Sequence, residues 1–561
     1  MTDIRTTLGR TLLDLPTRVA ESPGAPPGEP VGPIEQEYFT TLEACRENRY
    51  DAVVVGAGAV GSTVAHRLLH RGFRVLLLEK GPFLLPEHVQ NVDPVYQPLM
   101  TSAVATPWEI VPEDGYGLAP QIPYVGGRAL FWSTWIPQPT REQMPDWPAE
   151  VLDALRPYWR PAHEFLGSVE PSDMGPEFDT FHPRLVRDLF DGLPDLPNFV
   201  DYARLRDLEQ PLASRATRST LGYRKFSPVP VVLADARRYS GASRSAGTAR
   251  LSVVPDCLVQ RIEHKAGRDG RVATGLVTTQ GDYDLKGVPL VLANGVIEPT
   301  GLLMDSFGDA LSDLAGKNLG GHVADWFTMR VPRDAYPDLP DRLQISCTYL
   351  EGTHRPNGSA EEARDFHIHL MGASNPHPDD SVADLYRLIP DSFDQDFLTE
   401  LSTPEHIGFL VHCLGEWRGE RSVHAASYVG VGPGGAPRIR FNPNKADRAL
   451  AEAMDESARA LVGLLARGHA PEYWDSDQQK WTRQIPPNRE KKLLVHESGT
   501  LWMGDGPKDS VTDRLGRPHG VEGVYVAGAA TFPSSGSWNP TLTAVALGLL
   551  LADRLPLEAS R

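Results

Sequence analysis

The chain has 561 residues, a formal net charge of −18 and a hydrophobic content of 41%. This length and composition are enough for two large domains with full hydrophobic cores. No Lys/Arg block offsets the negative charge, which argues against a nucleic-acid-binding protein because phosphate binding needs a basic patch. The four cysteines are scattered without CxxC or CxxH spacing, so we expect neither a metal site nor a disulfide framework.

The N-terminal segment has no apolar run long enough for a secretory signal, and no stretch approaches the roughly 20 apolar residues that span a bilayer. We therefore expect a cytoplasmic protein that has neither a membrane nor a nucleic acid among its partners. Residues 1–45 become rich in Pro, Gly and Glu from Glu21 onward and predict an extended arm, with one short helix around Thr7–Val19. The arm is either disordered or laid on another subunit, which would make a homo-oligomer.

Regular elements begin directly after the arm. The apolar run Tyr50–Val55, a glycine-rich turn, a helical stretch that stops near Gly72 and a second apolar run, Arg74–Leu78, predict a βαβ unit. Further elements are predicted in chain order: helices over Glu150–Leu166 and His182–Gly192, short strands across Ser252–Gly295, a long helix over Lys445–Arg467 and a closing helix over Pro540–Leu555.

Three glycines, Gly56, Gly58 and Gly61, stand between the first strand and the first helix. In this spacing the first glycine allows a tight turn, the second lets a pyrophosphate approach the backbone, and the third lets helix and strand pack closely. Glu79 ends the second strand about 20 residues later, where a carboxylate can bind ribose hydroxyls and would repel the 2′-phosphate of NADP. The alternative for Glu79 is a solvated charge at a strand end. The segment predicts a dinucleotide site.

A second glycine-rich region precedes the last helix. It resembles the C-terminal signature of the glucose–methanol–choline (GMC) oxidoreductases, and the matching residues are His496, Gly499, Thr500, Met503, Gly504, Asp513, Asn539, Pro540, Thr541 and Thr543. Segments 291–304 and 315–322 resemble further landmarks of that family, and Cys257–Ile262 lies where its members pass a strand by the adenine. The resemblance covers residues 50–136, 250–325 and 490–561.

The segment VGGRALFWSTW, residues 125–135, is more similar to the pyranose-oxidase and glycoside-3-oxidase branch than to other members. Gly126, Gly127 and Trp132 match that branch, and Ser133 replaces a threonine that sits near flavin N5. Phe131 replaces the histidine that carries a covalent bond to FAD in fungal pyranose oxidases. The resemblance therefore implies FAD that is bound without a covalent link.

The resemblance also implies a fold. We expect an α/β (α+β) two-domain protein, in which a Rossmann-like FAD-binding domain carries a discontinuous substrate-binding domain built on an antiparallel sheet. The expected FAD-binding domain comprises residues 46–136, 235–330 and 490–561, and the substrate-binding domain comprises 137–234 and 331–489. The residues expected to contact FAD are Gly56, Gly58, Ala59, Val60, Gly61, Glu79, Gly126, Gly127, Trp132, Ser133, Val259, Ala293, Gly528, Ala529, Asn539, Pro540 and Thr541.

Alcohol oxidation needs a base for the hydroxyl proton, an acceptor for the hydride and donors that hold the oxygen. His496 is the predicted base because imidazole titrates near neutral pH, and Asn539 is predicted to hold the oxygen. The alternatives are a core histidine at position 496 and a helix N-cap at Asn539, which directly precedes Pro540. We expect structural roles for His322, His367 and His369. The tryptophans that flank the motifs either belong to the core or stack on a sugar or aromatic ring: Trp132, Trp135, Trp502 and Trp538.

The predicted function is oxidation of the CH–OH group of a small-molecule alcohol, a secondary hydroxyl of a sugar or glycoside, with hydride transfer to flavin N5. Electrons then pass to O2 or to an external acceptor. The alternatives on the same scaffold are a flavin-dependent lyase and an oxidase or dehydrogenase of aryl or aliphatic alcohols. A non-catalytic flavoprotein and an NAD-dependent enzyme are the remaining alternatives.

Overall fold

A computed structural model describes residues 38–96, 98–99, 103–111, 117–217, 222–239, 250–268, 270–360, 362–487 and 491–557. The helix predicted over Thr7–Val19 lies outside these residues. The end of the predicted arm packs on the protein, since Thr40 N–H donates to the Val253 carbonyl and the side chain of Leu42 is buried. Within these described residues, no helix combines the length and the apolar character needed to cross a membrane.

The α-helices are numbered in chain order. They are α1 (Leu42–Cys45), α2 (Ala59–His70), α3 (Ala149–Leu155), α4 (Trp159–Leu166), α5 (Phe181–Gly192), α6 (Val229–Tyr239), α7 (Ile297–Phe307), α8 (Pro378–Leu388), α9 (Gln395–Leu401), α10 (Lys445–Ala466) and α11 (Thr541–Arg554). The single helix predicted over Glu150–Leu166 is wrong, because a 3-10 turn at Arg156–Tyr158 separates α3 from α4. Pro157 lies in that turn and has no N–H to donate to a continuous helix.

The strands follow the same numbering. They are β1 (Ala52–Val55), β2 (Val75–Leu78), β3 (Glu109–Val111), β4 (Gly117–Leu118), β5 (Ser168–Val169), β6 (Leu212–Ala216), β7 (Tyr223–Lys225), β8 (Leu251–Val254), β9 (Val259–Ala266), β10 (Arg271–Thr278), β11 (Tyr283–Asp284), β12 (Leu290–Leu292), β13 (Gly320–Pro332), β14 (Gln344–His354), β15 (Arg364–Ser374), β16 (His406–Trp417), β17 (Tyr428–Val431), β18 (Pro437–Arg440), β19 (Glu472–Asp475), β20 (Lys480–Thr482), β21 (Lys491–Ser498), β22 (Val521–Glu522) and β23 (Val524–Val526).

A five-stranded parallel sheet in the order β23-β12-β1-β2-β8 supports the glycine-rich turn. Its strands are short runs of Val and Leu that are buried on both faces, as a parallel sheet between helices requires. Helix α2 connects β1 to β2, and α11 packs on α2 where Gly548 approaches Val60. This sheet brings the segments after β1, β2, β12 and β23 to one edge, where parallel-sheet proteins bind ligands.

An eight-stranded sheet forms the second large layer. Its strands run in the order β14-β15-β16-β13-β19-β20, and β21 pairs with both β13 and β4. One face is apolar and lies under α10, which approaches so closely at Gly415 that a Cβ there would contact Met454 and Leu450. Because side chains alternate along a strand, the residues next to this apolar set point to the other face. That other face carries the histidines described below. The architecture confirms the predicted two-domain α/β fold, and the domain boundaries stay a prediction.

Candidate active site

The glycine-rich turn leaves one position open for a ligand. A Cβ on Gly58, the residue before α2, would meet no atom within 4 Å, whereas a Cβ on Gly61 would lie 1.9 Å from the Gly56 carbonyl oxygen. Gly56 has a φ of +100°, and a Cβ there would lie 2.8 Å from the Ala293 carbonyl oxygen. The outer two glycines therefore serve the protein's own packing, while the space beside Gly58 is free. This is the division of roles that pyrophosphate binding requires.

Glu79 directly follows β2 and reaches back into the same turn. Its carboxylate accepts hydrogen bonds from the backbone N–H of Ala57 at 2.8 Å and of Gly81 at 3.1 Å. Burial raises the pKa of Glu79 to about 7, although these two backbone donors act in the opposite direction. The side chain is a buried group of the turn, and the alternative of a solvated charge at a strand end is wrong.

The other predicted cofactor segments meet at this turn. Gly126 N–H donates to the Ala57 carbonyl at 3.1 Å, and Ala293 N–H donates to the Val55 carbonyl at 2.8 Å. Gly127 comes close to Gly58 and Gly528 to Val60. The Cys257 N–H donates to the Glu79 carbonyl at 2.8 Å, which brings the segment before Val259 to the end of β2. Ala59, Val60 and Gly61 form the first turn of α2, Ala529 starts a 3-10 turn after Gly528, and Pro540 and Thr541 start α11.

These residues fit FAD. The free space at Gly58, the buried Glu79 carboxylate and the convergence of the predicted cofactor segments at one sheet edge suit a dinucleotide. Trp132 is fixed by two hydrogen bonds: its indole N–H donates to the Phe226 carbonyl at 2.9 Å, and its own carbonyl accepts from His88 Nε2 at 2.9 Å. Ser133 lies close enough to Asp391 to lower the pKa of that carboxyl group.

His496 lies on β21 and contacts a second histidine. Its Nδ1 is 2.9 Å from Nδ1 of His322 on β13, and Nε2 of His322 is 3.0 Å from the carbonyl oxygen of Gly536. A carbonyl oxygen can only accept, so His322 carries its proton on Nε2 and offers a lone pair at Nδ1. His496 must then donate from its own Nδ1. The lone pair of His496 is therefore on Nε2, which is the atom that can accept a proton from a substrate.

Both imidazoles are held neutral. Burial lowers the pKa of His322 to about 3, although donation to the Gly536 carbonyl raises it slightly. Burial also lowers the pKa of His496 well below its ordinary value, and the neighbouring His322 and His369 act in the same direction. His322 is fully buried, whereas His496 as a whole residue is only partly buried. A neutral imidazole with a fixed tautomer is a competent proton acceptor.

Asn539 is not the N-cap of α11. The residue before the helix is Pro540, with no side-chain cap, and the side chain of Asn539 turns into the protein. Its Oδ1 lies 3.2 Å from the hydroxyl of Tyr349 and 3.2 Å from Nε2 of His369. The predicted alternative of a capping asparagine is therefore wrong, and this side chain joins the polar cluster next to His496.

The prediction of purely structural roles for the other histidines leaves out the cluster of rings that they form. Four aromatic or imidazole side chains occupy directly paired positions on neighbouring strands, in the order Tyr349 (β14), His369 (β15), His412 (β16) and Trp326 (β13). His367, two residues from His369 on the same face, stacks on Tyr349 with ring centroids 4.4 Å apart. The sequence contains one usable signal, the alternation of His367 and His369 along a strand. This signal does not predict which strands, distant in the chain, pair with that one.

Asp391 follows α8 and was not predicted as a site residue. Its Oδ2 is 2.8 Å from Nδ1 of His369 and accepts from the indole N–H of Trp135 at 3.1 Å. Burial alone would raise the pKa of this carboxyl group, but His369, His412 and Ser133 together hold it well below its usual range. Asp391 therefore stays ionised, and two donors share its Oδ2 atom.

Backbone strain coincides with this cluster. Thr134, Asp391 and His496 have φ values of +69°, +58° and +56°, a region that non-glycine residues seldom adopt. Such residues persist only where surrounding contacts hold them, and they concentrate at functional sites. One such contact is the ion pair between Arg128 and Glu497 at 2.6 Å, which ties the 126–127 segment to the residue after His496. The cofactor segment and the histidine are thus held together.

The flanking tryptophans are mostly core residues. The side chains of Trp135, Trp502 and Trp538 are at most 2% exposed, so they cannot form an open stacking surface for a substrate. Trp132 is the partly exposed one of the set.

Comparisons with known proteins match the two segments that contribute most to this site. Residues 422–548, which include His496 and Asn539, match the family model described as GMC oxidoreductase, and residues 54–84 match the model of an NAD(P)-binding Rossmann-like domain. The matches support the GMC oxidoreductase family. An uncharacterised GMC-type oxidoreductase of Mycobacterium tuberculosis is 26% identical over 531 residues, covering 90% of this chain and 76% of the relative. An oxygen-dependent choline dehydrogenase of Serratia proteamaculans is 24% identical over 573 residues, covering 90% and 95%.

The crystal structure of a formate oxidase has the same fold, with a TM-score of 0.57 at 14% sequence identity, covering 90% of this chain and 98% of that one. The GMC family and the Rossmann-like domain together indicate FAD as the cofactor of an oxidoreductase. The narrower resemblance to the pyranose-oxidase and glycoside-3-oxidase branch stays a prediction.

Proposed function

We propose that this protein oxidises a secondary hydroxyl of a sugar or glycoside, with His496 as the base and Asn539 as the group that holds the reacting oxygen. The observation that carries the proposal is the chain from the Gly536 carbonyl through His322 to His496, which leaves a lone pair on His496 Nε2. When bound, FAD supplies the hydride acceptor at its N5 atom. Donation from the alcohol to His496 Nε2 leaves a developing negative charge on the oxygen, which the amide of Asn539 can stabilise.

The charge balance of the cluster favours a neutral polyhydroxyl substrate over a cationic one such as choline. Asp391 is the ionised carboxylate next to the imidazoles, and its Oδ2 is already bound by His369 and Trp135. It is therefore not free to pair with a quaternary ammonium group. The choline dehydrogenase relative nevertheless makes a non-sugar alcohol the second candidate.

Anaerobic flavin reduction by a panel of alcohols tests the proposal. The panel consists of D-glucose, methyl β-D-glucopyranoside, choline and benzyl alcohol, each mixed with the protein under argon while flavin absorbance near 450 nm is followed. Bleaching by one of the two sugars supports the proposal, and bleaching by choline or benzyl alcohol alone would replace the substrate class. Conversion of an alcohol without any bleaching would indicate a lyase and contradict the oxidation.

Non-covalent attachment of FAD is a separate part of the proposal. Phe131 has no nucleophilic atom, and the histidine that contacts this segment, His88, uses both ring nitrogens. His88 Nε2 donates to the Trp132 carbonyl and its Nδ1 accepts from Gln90 N–H. We expect acid precipitation to leave the yellow colour in the supernatant. A yellow pellet would show that another residue bonds to the cofactor.

A further inference from the structure

The amide of Asn539 is anchored from two neighbouring strands. The Tyr349 hydroxyl and the His369 Nε2 each lie 3.2 Å from the same atom, Asn539 Oδ1. Burial raises the pKa of Tyr349 well above its ordinary value, so its hydroxyl keeps the proton that it donates. Two anchors on the amide oxygen leave the amide NH2 as the group that is free to face a substrate.

His369 is itself anchored on its opposite side. Its Nδ1 lies 2.8 Å from Asp391 Oδ2, and its ring stacks on Trp135 with centroids 4.8 Å apart and planes inclined by 22°. The two ring nitrogens thus face two acceptors, a carboxylate and an amide oxygen. A ring with a proton on each nitrogen satisfies both acceptors, which makes His369 and Asp391 a buried charge pair. Removing one member of such a pair leaves an uncompensated buried charge.

The pair also connects the two halves of the site. Asp391 lies close enough to Ser133, a residue of the predicted cofactor segment, for Ser133 to lower the pKa of its carboxyl group, and His369 contacts Asn539, the residue predicted to hold the reacting oxygen. Asp391 has a φ of +58°, so its backbone is held in a rarely adopted conformation at the point where the two halves meet. A carboxylate that is held by His369 and Trp135 on a strained backbone is a built feature of this site.

We propose that Asp391 and His369 are a positioning pair that acts through Asn539 and fixes its amide NH2 toward the reacting oxygen. This inference rests on the proposed function. When the alcohol gives its proton to His496, charge grows on the oxygen, and a donor that is already in place stabilises this charge without rearranging. The Tyr349 hydroxyl also donates to the amide oxygen of Asn539. Loss of His369 therefore weakens the orientation of the Asn539 amide without abolishing it.

A double-mutant cycle on flavin reduction tests the coupling. The probe is the panel alcohol that bleaches the parent flavin fastest, and the variants are His369→Leu, His369→Gln, Asn539→Ala and His369→Leu combined with Asn539→Ala. We expect His369→Leu to slow reduction by about 10–100-fold, as is typical when the partner of a site residue is lost, with little change in substrate dissociation constant. His369→Gln keeps a side-chain donor and should recover part of the rate.

In the Asn539→Ala background the same His369→Leu change should have no further effect, because the group through which it acts is absent. Additive losses in the double variant would overturn the proposal. The His496→Ala variant separates this outcome from the proposed function: a slow His496→Ala variant with additive losses refutes the positioning pair alone, whereas a fast one refutes the base.

A second measurement needs neither substrate nor turnover. Histidine-selective 15N labelling of the FAD-bound parent reports the protons on each imidazole nitrogen, and His369→Gln identifies the signal. We expect both nitrogens of His369 to be protonated at pH 7, and Asp391→Asn to remove this doubly protonated signal while the protein stays folded. A neutral His369 in the parent would overturn the charge pair.

Discussion

The tautomer of His496, the proposed base, depends on the neighbouring His322. His322 Nδ1 accepts a hydrogen bond from Nδ1–H of His496, because the proton of His322 is on Nε2 and is donated to the Gly536 carbonyl. Without this acceptor, His496 can place its proton on Nε2 and lose the lone pair that faces substrate. The same logic applies to metal-ligating histidines, whose outer partners fix the tautomer.

Replacement of His322 tests the tautomer directly. We expect His322→Leu to retain FAD and to slow flavin reduction by roughly 10–100-fold. His322→Gln should be faster than His322→Leu, because a glutamine amide can accept from His496 and donate to the Gly536 carbonyl. The measurement is the reduction rate constant under argon, with flavin content and thermal unfolding checked first. Parental reduction by His322→Leu would show that the histidine contact is only structural.

The site could be predicted from sequence where its residues lie within one local motif. His496 and Asn539 were predicted because a contiguous pattern surrounds them, and Glu79 because it stands at a fixed distance from the glycines. His369 and Asp391 were missed. They meet because β15 pairs with β14 and β16, and because the loop after α8 turns under the sheet, and neither event has a local signature.

At the level of elements, the turn between β1 and α2 has the clearest division of roles. Gly58, the residue before α2, has open space where a Cβ would stand, whereas a Cβ on Gly61 would collide with the backbone of the turn. The βαβ unit was predicted to within a residue or two because its hydrophobic runs and glycines agree on one structure. The break between α3 and α4 was missed because the helical pattern continues across Pro157.

Alanine substitutions separate the roles of these two glycines. We expect Gly58→Ala to fold with the parental circular dichroism spectrum and to bind FAD at least about tenfold more weakly, which is about 1.4 kcal/mol, because the new methyl group occupies the space for pyrophosphate. Gly61→Ala should lose both FAD affinity and stability, since its Cβ would collide with the Gly56 carbonyl. The exposed Gly463→Ala in α10 is the control. FAD titration of each folded variant decides the matter, and unchanged affinity in Gly58→Ala would remove Gly58 from the cofactor site.

For the molecule as a whole, buried histidines link stability to pH. Burial lowers the pKa of His88 and His322 to about 3 and of His412 to about 4, from an ordinary value of 6.5. The unfolded chain therefore binds more protons than the folded one below pH 6.5. The free energy of unfolding falls as the pH is lowered from about 6.5 toward about 4. Well above pH 7 these groups are neutral in both states, and their contribution is complete.

His88→Gln isolates one of these contributions. A glutamine can accept from Gln90 N–H and donate to the Trp132 carbonyl as His88 does, but it cannot be protonated. Between pH 7 and pH 5 the parent should lose about 2 kcal/mol more unfolding free energy than the variant, from the protonation of His88 in the unfolded chain. Denaturant unfolding at the two pH values measures this difference. The exposed His424→Gln should behave as the parent, and equal losses in the parent and His88→Gln would contradict the assignment.

We propose that His496 takes the proton of an alcohol while Asn539 holds its oxygen. Stopped-flow flavin reduction under argon tests it most directly, with the parent, His496→Ala and Asn539→Ala compared at equal FAD content against the alcohol that reduces the parent fastest. We expect His496→Ala to lose about 10²–10⁴-fold in the reduction rate constant and Asn539→Ala to lose less, because only the first removes the proton acceptor. If His496→Ala binds FAD and reduces it at the parental rate, His496 is not the base and the account of this site is wrong.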